Sequence, residues 1–161
     1  MSFSLVDGEE NCQTLKRTVF GNGGLCPMLS QAYQELEATS LWVRRKVLEM
    51  AVAVNSGHVS TAMSQTDLLV ALYFGGILNY DPENPKWEGR DQLILSKGHG
   101  AIGLYPILAK LGFFPEDILN RFCKQGSPLG SFVGGNSEWQ VPGVDYLSWS
   151  MGHGLPVAVG K

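Results

Sequence analysis

Each of the three histidines in this chain stands directly after a glycine, in Ser56-Gly57-His58, Lys97-Gly98-His99 and Met151-Gly152-His153-Gly154. With 20 glycines among 161 residues, independent placement would produce that coincidence with a probability of roughly 0.002. Glycine lets the backbone turn sharply or approach a ligand closely. An imidazole carried on such a turn can direct its ring nitrogens into a cleft, where this class of side chain relays protons near neutral pH. The candidate chemistry therefore lies at these turns. Around His99 a second feature adds to it. Gln92-Leu93-Ile94-Leu95 is a short apolar run with the form of a buried parallel strand. Ser96-Lys97-Gly98-His99-Gly100 leads from it into a helical pattern over 101–111. Strand, glycine turn and helix in that order offer free N–H groups at the helix start to an anion, phosphate above all.

The elements that must position these turns follow from apolar spacing. Val43, Val47, Met50 and Val54 form one stripe, which predicts a helix from about Gln31 that stops before Asn55-Ser56-Gly57 and leaves His58 just past its end. A second helix is expected to open at Ser64 with Asp67 completing a cap. Leu68, Leu69, Leu72 and Tyr73 would be its buried face, and Gly75-Gly76 its end. Pro106 is expected to kink the 101–111 helix or to mark a shift in its start. Pro115-Glu116-Asp117 should begin a further helix, running to about Gln125 and ended by Gly126. Residues 126–148 are a Gly-, Ser- and Pro-rich connection long enough to be a binding loop. A last helix opens at Leu155. Residues 1–28 lack periodicity and read as a flexible extension, leaving 29–161 as the domain. One strand cannot make a sheet, so the fold class is α/β with an incomplete parallel sheet flanked by helices and rich in helix at its front. Something else is expected to cover its open face.

Composition excludes several functions. A net charge of −3 without a cluster of Lys or Arg argues against nucleic acid or an anionic membrane surface as partner. Arg44, Arg45 and Lys46 read as a solvated helix face. No apolar run has transmembrane length and the N-terminus lacks a signal-peptide pattern, so a cytoplasmic location is expected. Cys12, Cys26 and Cys123 are never spaced as Cys-x-x-Cys and read as reduced bystanders. The histidine spacings fit no local zinc motif.

Five stretches in order resemble the N-terminal, diphosphate-binding part of transketolases. They are Asn55-Ser56-Gly57-His58; Asn79 to Trp87 with Arg90-Asp91; Leu93 to His99; Val141-Pro142-Gly143-Val144-Asp145; and Met151 to Leu155 with Ala158-Val159-Gly160. The last looks most like the small two-gene transketolases, in which one subunit carries the diphosphate half and another the pyrimidine half. The resemblance implies transfer of two-carbon ketol units between sugar phosphates with thiamine diphosphate and Mg2+. It gives His58 and His99 catalytic roles, with His58 facing the sugar and His99 beside the diphosphate. It places Trp149, Ser150, Met151 and Gly152 in the segment that holds the cofactor, and Asn136 and His153 toward substrate. Asn136 stands where the family usually has a histidine, Trp149 where a glycine is common, and His153 where glutamine is frequent. The family's Gly-Asp-Gly magnesium motif does not occur in these 161 residues. The resemblance thus implies an oligomer that draws a pyrimidine-binding half from a longer parent or a separate chain, with no activity from this chain alone. A catalytically silent fragment, or a docking or regulatory subunit of a transketolase-like complex, is the alternative.

Overall fold

Val43, Val47 and Met50, spaced by four and three, are buried along one side of α1, Pro27–Val54. This computed structural model describes residues 27–132, 141–146 and 150–161, with side chains from residue 31. Helix α1 opens four residues before the expected Gln31, at a proline that the first helical turn tolerates. It ends as predicted. Asn55 has φ 49° and Gly57 φ 126°, conformations open chiefly to Asn and Gly.

Helix α2, Val59–Phe74, follows at once. The cap expected at Ser64 does not form. The Gly57 turn already aims the chain into a helix, and the His58 carbonyl accepts the first bond from the Ala62 N–H at 3.1 Å. Ser64 therefore sits inside the helix, donating to the Thr61 carbonyl at 2.9 Å. Asp67 instead accepts two bonds from Arg44 of α1, at 2.9 and 2.8 Å. Leu69 and Tyr73 are buried with Ala62, Gln65, Thr66 and Val70, whereas Leu68 is 64% exposed and does not belong to the face assigned to it. Gly75 caps the end.

Helix α3, Ala101–Leu111, is the centre of the molecule, with every residue from Ala101 to Ala109 buried. It starts where expected, behind a 3-10 turn at Gly98–Gly100, and runs through Pro106. Gly112 closes it with φ 90°. α1 and α2 pack on it and on each other. The helix expected over 115–125 is a 3-10 helix, Glu116–Arg121. It stops because Phe122 turns into the core and Cys123, at φ 53°, donates its N–H to the Leu129 carbonyl at 2.8 Å. A final helix, α4, covers Gly154–Gly160.

No strand is present among the described residues, so the expected parallel sheet has no counterpart there. Leu93 and Leu95 pack partly buried against the core. A strand exists only as one member of a hydrogen-bonded ladder, and no described segment pairs with residues 92–95.

The basic trio is less solvated than expected. Arg44 ties α1 to α2, Lys46 bridges Glu49 and Glu116, and Arg45 alone of the three is exposed. The Arg44 guanidinium holds the Asp67 carboxyl below its ordinary range. A depressed carboxylate stabilises the fold above its unfolded pKa and loses that contribution as pH falls through the folded value. Asp67 is exposed and Arg44 half-buried, so Asp67→Asn is expected to cost at most about 1 kcal/mol at neutral pH. Melting both proteins at pH 7 and again near the acid limit should show that difference shrink.

Candidate functional site

A scaffold at the C-terminal ends of α2 and α3 is built by residues far apart in sequence. Arg90 donates from Nε and Nη2 to one Asp145 oxygen, at 3.2 and 2.5 Å, with side chains only 16% and 15% exposed. Asp91 accepts from the Asn79 backbone and side-chain amides at 2.7 and 3.1 Å. The Tyr80 hydroxyl donates to the Tyr73 carbonyl at 3.1 Å. Burial pushes the Tyr73 hydroxyl well above its ordinary range, so it stays protonated. These bonds seat Val141 and Val144 in the core beside α3 and Phe113. The stretches around 79–91 and 141–145 are scaffold in this structure.

The first two Gly-His turns meet at the N-terminal ends of α2 and α3. The His58 and His99 rings stand edge to face, with centroids 5.2 Å apart and planes at 68°. Phe132 flanks His58 at 6.0 Å. His58 lies at the N-terminus of α2 without a side-chain capping bond, and it is exposed, whereas His99 is half-buried. A Cβ on Gly57 would come within 2.9 Å of the Cδ1 tip of Ile102 on α3, and the φ of 126° favours glycine before His58.

The third turn joins through Ser96. Its Oγ accepts the Gly152 N–H at 3.2 Å and the Gly154 N–H at 3.0 Å. Gly154 has no room for a side chain, since a Cβ there would lie 2.9 Å from the Ser96 Cα. Gly154→Ala is therefore expected to push the two turns apart and to cost about 1–3 kcal/mol, read as a shifted urea midpoint. Gly152, at φ 90°, faces open space, and Met151 is 74% exposed. Ser150 and His153 are exposed. The structure thus brings His58 and His99 into contact and links the His153 turn to them through backbone bonds to Ser96. Asn136 and Trp149 lie outside the described residues, as do residues 133–140, 147 and 148 of the expected binding loop.

Sequence reasoning missed two contributors. Ser96 was legible only as part of the turn, and Gln65, which donates to the Gly100 carbonyl at 2.7 Å, carried no motif. Cys123 fits its bystander role, since its thiol is pushed up, away from the thiolate. Among the described residues no group of three or more His, Cys, Asp or Glu is arranged to hold a metal ion.

Residues 38–161 match the family model described as transketolase, thiamine diphosphate binding domain. The chain belongs to the transketolase family. It is 41% identical over 130 residues to a subunit of the apulose-4-phosphate transketolase of Actinobacillus succinogenes, covering 80% of this chain and 46% of that protein. It is 36% identical over 132 residues to the 6-deoxy-6-sulfo-D-fructose transketolase subunit SqwG of a Clostridium species, covering 82% and 46%. Among solved structures, the transketolase of Leishmania mexicana superposes with a TM-score of 0.70 at 26% identity, over 78% of this chain and 18% of that one. The chain therefore spans less than half the length of these relatives. The transketolase match covers α2, α3, α4 and all three Gly-His turns. No helix among the described residues is long and apolar enough to cross a membrane.

Proposed function

We propose that this chain supplies the diphosphate-side half of a transketolase site that moves two-carbon ketol units between sugar phosphates, in partnership with a pyrimidine-binding half. The edge-to-face pair of His58 and His99, set on two glycine turns, is the observation that carries this reading. Two imidazoles in contact, one exposed and one half-buried, suit an anionic, hydroxyl-rich ligand. The open backbone at Gly152 and the exposed thioether of Met151 suit a cofactor with both a charged and an apolar end. The chain's residues thus fit part of thiamine diphosphate, which when bound would supply the electron sink for breaking a carbon–carbon bond.

The remaining chemistry belongs to this chain. His58, nearer solvent, would orient a sugar hydroxyl and hold or return its proton. His99 would donate toward the diphosphate side, with Trp149, Ser150, Met151 and Gly152 lining the cofactor. Asn136 could donate a hydrogen bond to substrate without titrating, and His153 would stand at the substrate entrance. Magnesium needs several oxygen ligands, and no such grouping occurs among the described residues, so those ligands would come from elsewhere. An oligomer in the cytoplasm follows from this reading.

The uncovered apolar side chains Leu41, Leu48 and Val52 on α1 and Leu155 and Val159 on α4 favour a second reading, a silent docking subunit. Calorimetric titration of thiamine diphosphate with Mg2+ separates the two. On the proposed function, heat of binding appears when the chain is mixed with the pyrimidine-binding subunit of a two-subunit transketolase, and His99→Ala weakens it. Complex formation with no cofactor binding would leave the docking reading standing instead.

A further inference from the structure

We propose that Gln65 is a positioning residue for His99: from the buried face of α2 its amide holds the Gly100 carbonyl and so sets the turn that brings the His99 ring against His58. The functional meaning of this inference rests on the role given to His99 above. The physical basis stands on its own. His58, Ala62 and Gln65 follow at spacings of four and three, so they share one side of α2. That side receives the start of α3. A Cβ built on Gly100 would lie 2.6 Å from both Nε2 and Oε1 of Gln65, and one on Gly103 would lie 3.1 Å from the Ala62 Cβ. The Gln65 amide is thus pressed against the backbone one residue beyond His99.

Two observations separate positioning from filling. Gln65 is 5% exposed, and its Nε2 donates to the Gly100 carbonyl at 2.7 Å, while its Oε1 is buried without a hydrogen-bond partner. Burying an acceptor unpaired costs stability, and an apolar side chain of similar length would fill the same space without that cost. What glutamine supplies and leucine cannot is the bond to Gly100. That bond acts where the backbone is least constrained, since His99 has glycine on both sides. One helix then controls both rings: its N-terminus carries His58, and its second turn anchors the turn of His99.

The test uses the full chain as Gln65→Leu and Gln65→Met, followed by thermal melts and by 1H–13C spectra of the histidine rings. At least one variant should melt at or above the wild-type temperature. It should also show a displaced His99 Cε1–Hε1 signal, an unmoved His153 signal and a weakened Overhauser cross-peak between the His58 and His99 rings. An intact cross-peak with an unmoved His99 signal would overturn the inference. Unfolding of both variants would do so too, making Gln65 a packing residue. Absence of thiamine diphosphate binding by the wild-type assembly would defeat the proposed function and leave these spectra, and what they say of Gln65, unchanged.

Discussion

His58→Ala is expected to lower turnover of the assembled enzyme by about 10²–10⁴-fold, the usual contribution of a positioned proton-transfer group. Affinity for thiamine diphosphate should change far less. The asymmetry follows from placement. His58 is the exposed member of the ring pair and makes no capping bond to α2, so its removal deletes little packing and leaves the His99 turn anchored by Gln65 and Ser96. The measurement is a steady-state assay with a ketose phosphate donor and an aldose phosphate acceptor, on this chain combined with a pyrimidine-binding partner, beside calorimetry of cofactor binding. Unchanged turnover would remove His58 from the chemistry and return it to a helix-terminal role. Parallel losses in binding and turnover would mean that it holds the cofactor and has no separate part in moving protons.

Phe122→Ala is expected to destabilise the chain by about 3–5 kcal/mol, the range for truncating a buried aromatic. Phe122 is 1% exposed and packs at 6.2 Å between centroids against the buried ring of Tyr105. It also supports the site, because its ring edge lies 3.6 Å from where a Cβ on Gly57 would stand. The Tyr105 hydroxyl lies 3.1 and 2.9 Å from the carbonyls of Gly130 and Phe132, so the same cluster reaches the residue that flanks His58. A cavity here should loosen the His58 turn before it affects the His99 turn. Urea denaturation gives the stability change, and the His58 ring signal reports the turn. Phe122→Leu, which leaves a smaller void, should cost clearly less. Equal costs for the two substitutions would show that the surrounding side chains collapse into the space.

Much of the site was readable from residue order because its causes are local. A glycine before each histidine marks a backbone turn, and Gly57 and Gly152 do take positive φ. The stripe of Val43, Val47 and Met50 marked the buried side of α1 because helical periodicity is a property of neighbouring residues. The ordered stretches that resemble transketolases pointed to the family to which the chain belongs. Local patterns misled where a stronger neighbour competed. Ser64 and Asp67 have the spacing of a cap, but the turn at Gly57 starts α2 earlier and frees Asp67 for Arg44. The apolar run 92–95 has the composition of a strand, but composition cannot supply a partner for the ladder.

Which residues could carry chemistry and where the chain must turn were already legible in residue order, since both depend on side-chain type and on φ at single positions. Which of those turns touch depends on packing in three dimensions. The contact between His58 and His99, the bonds from Ser96 to the third turn, the Arg90–Asp145 pair and the hold of Gln65 on Gly100 join residues 35 or more positions apart. Packing around α3 brings those partners together, and their spacing along the chain does not encode the meeting.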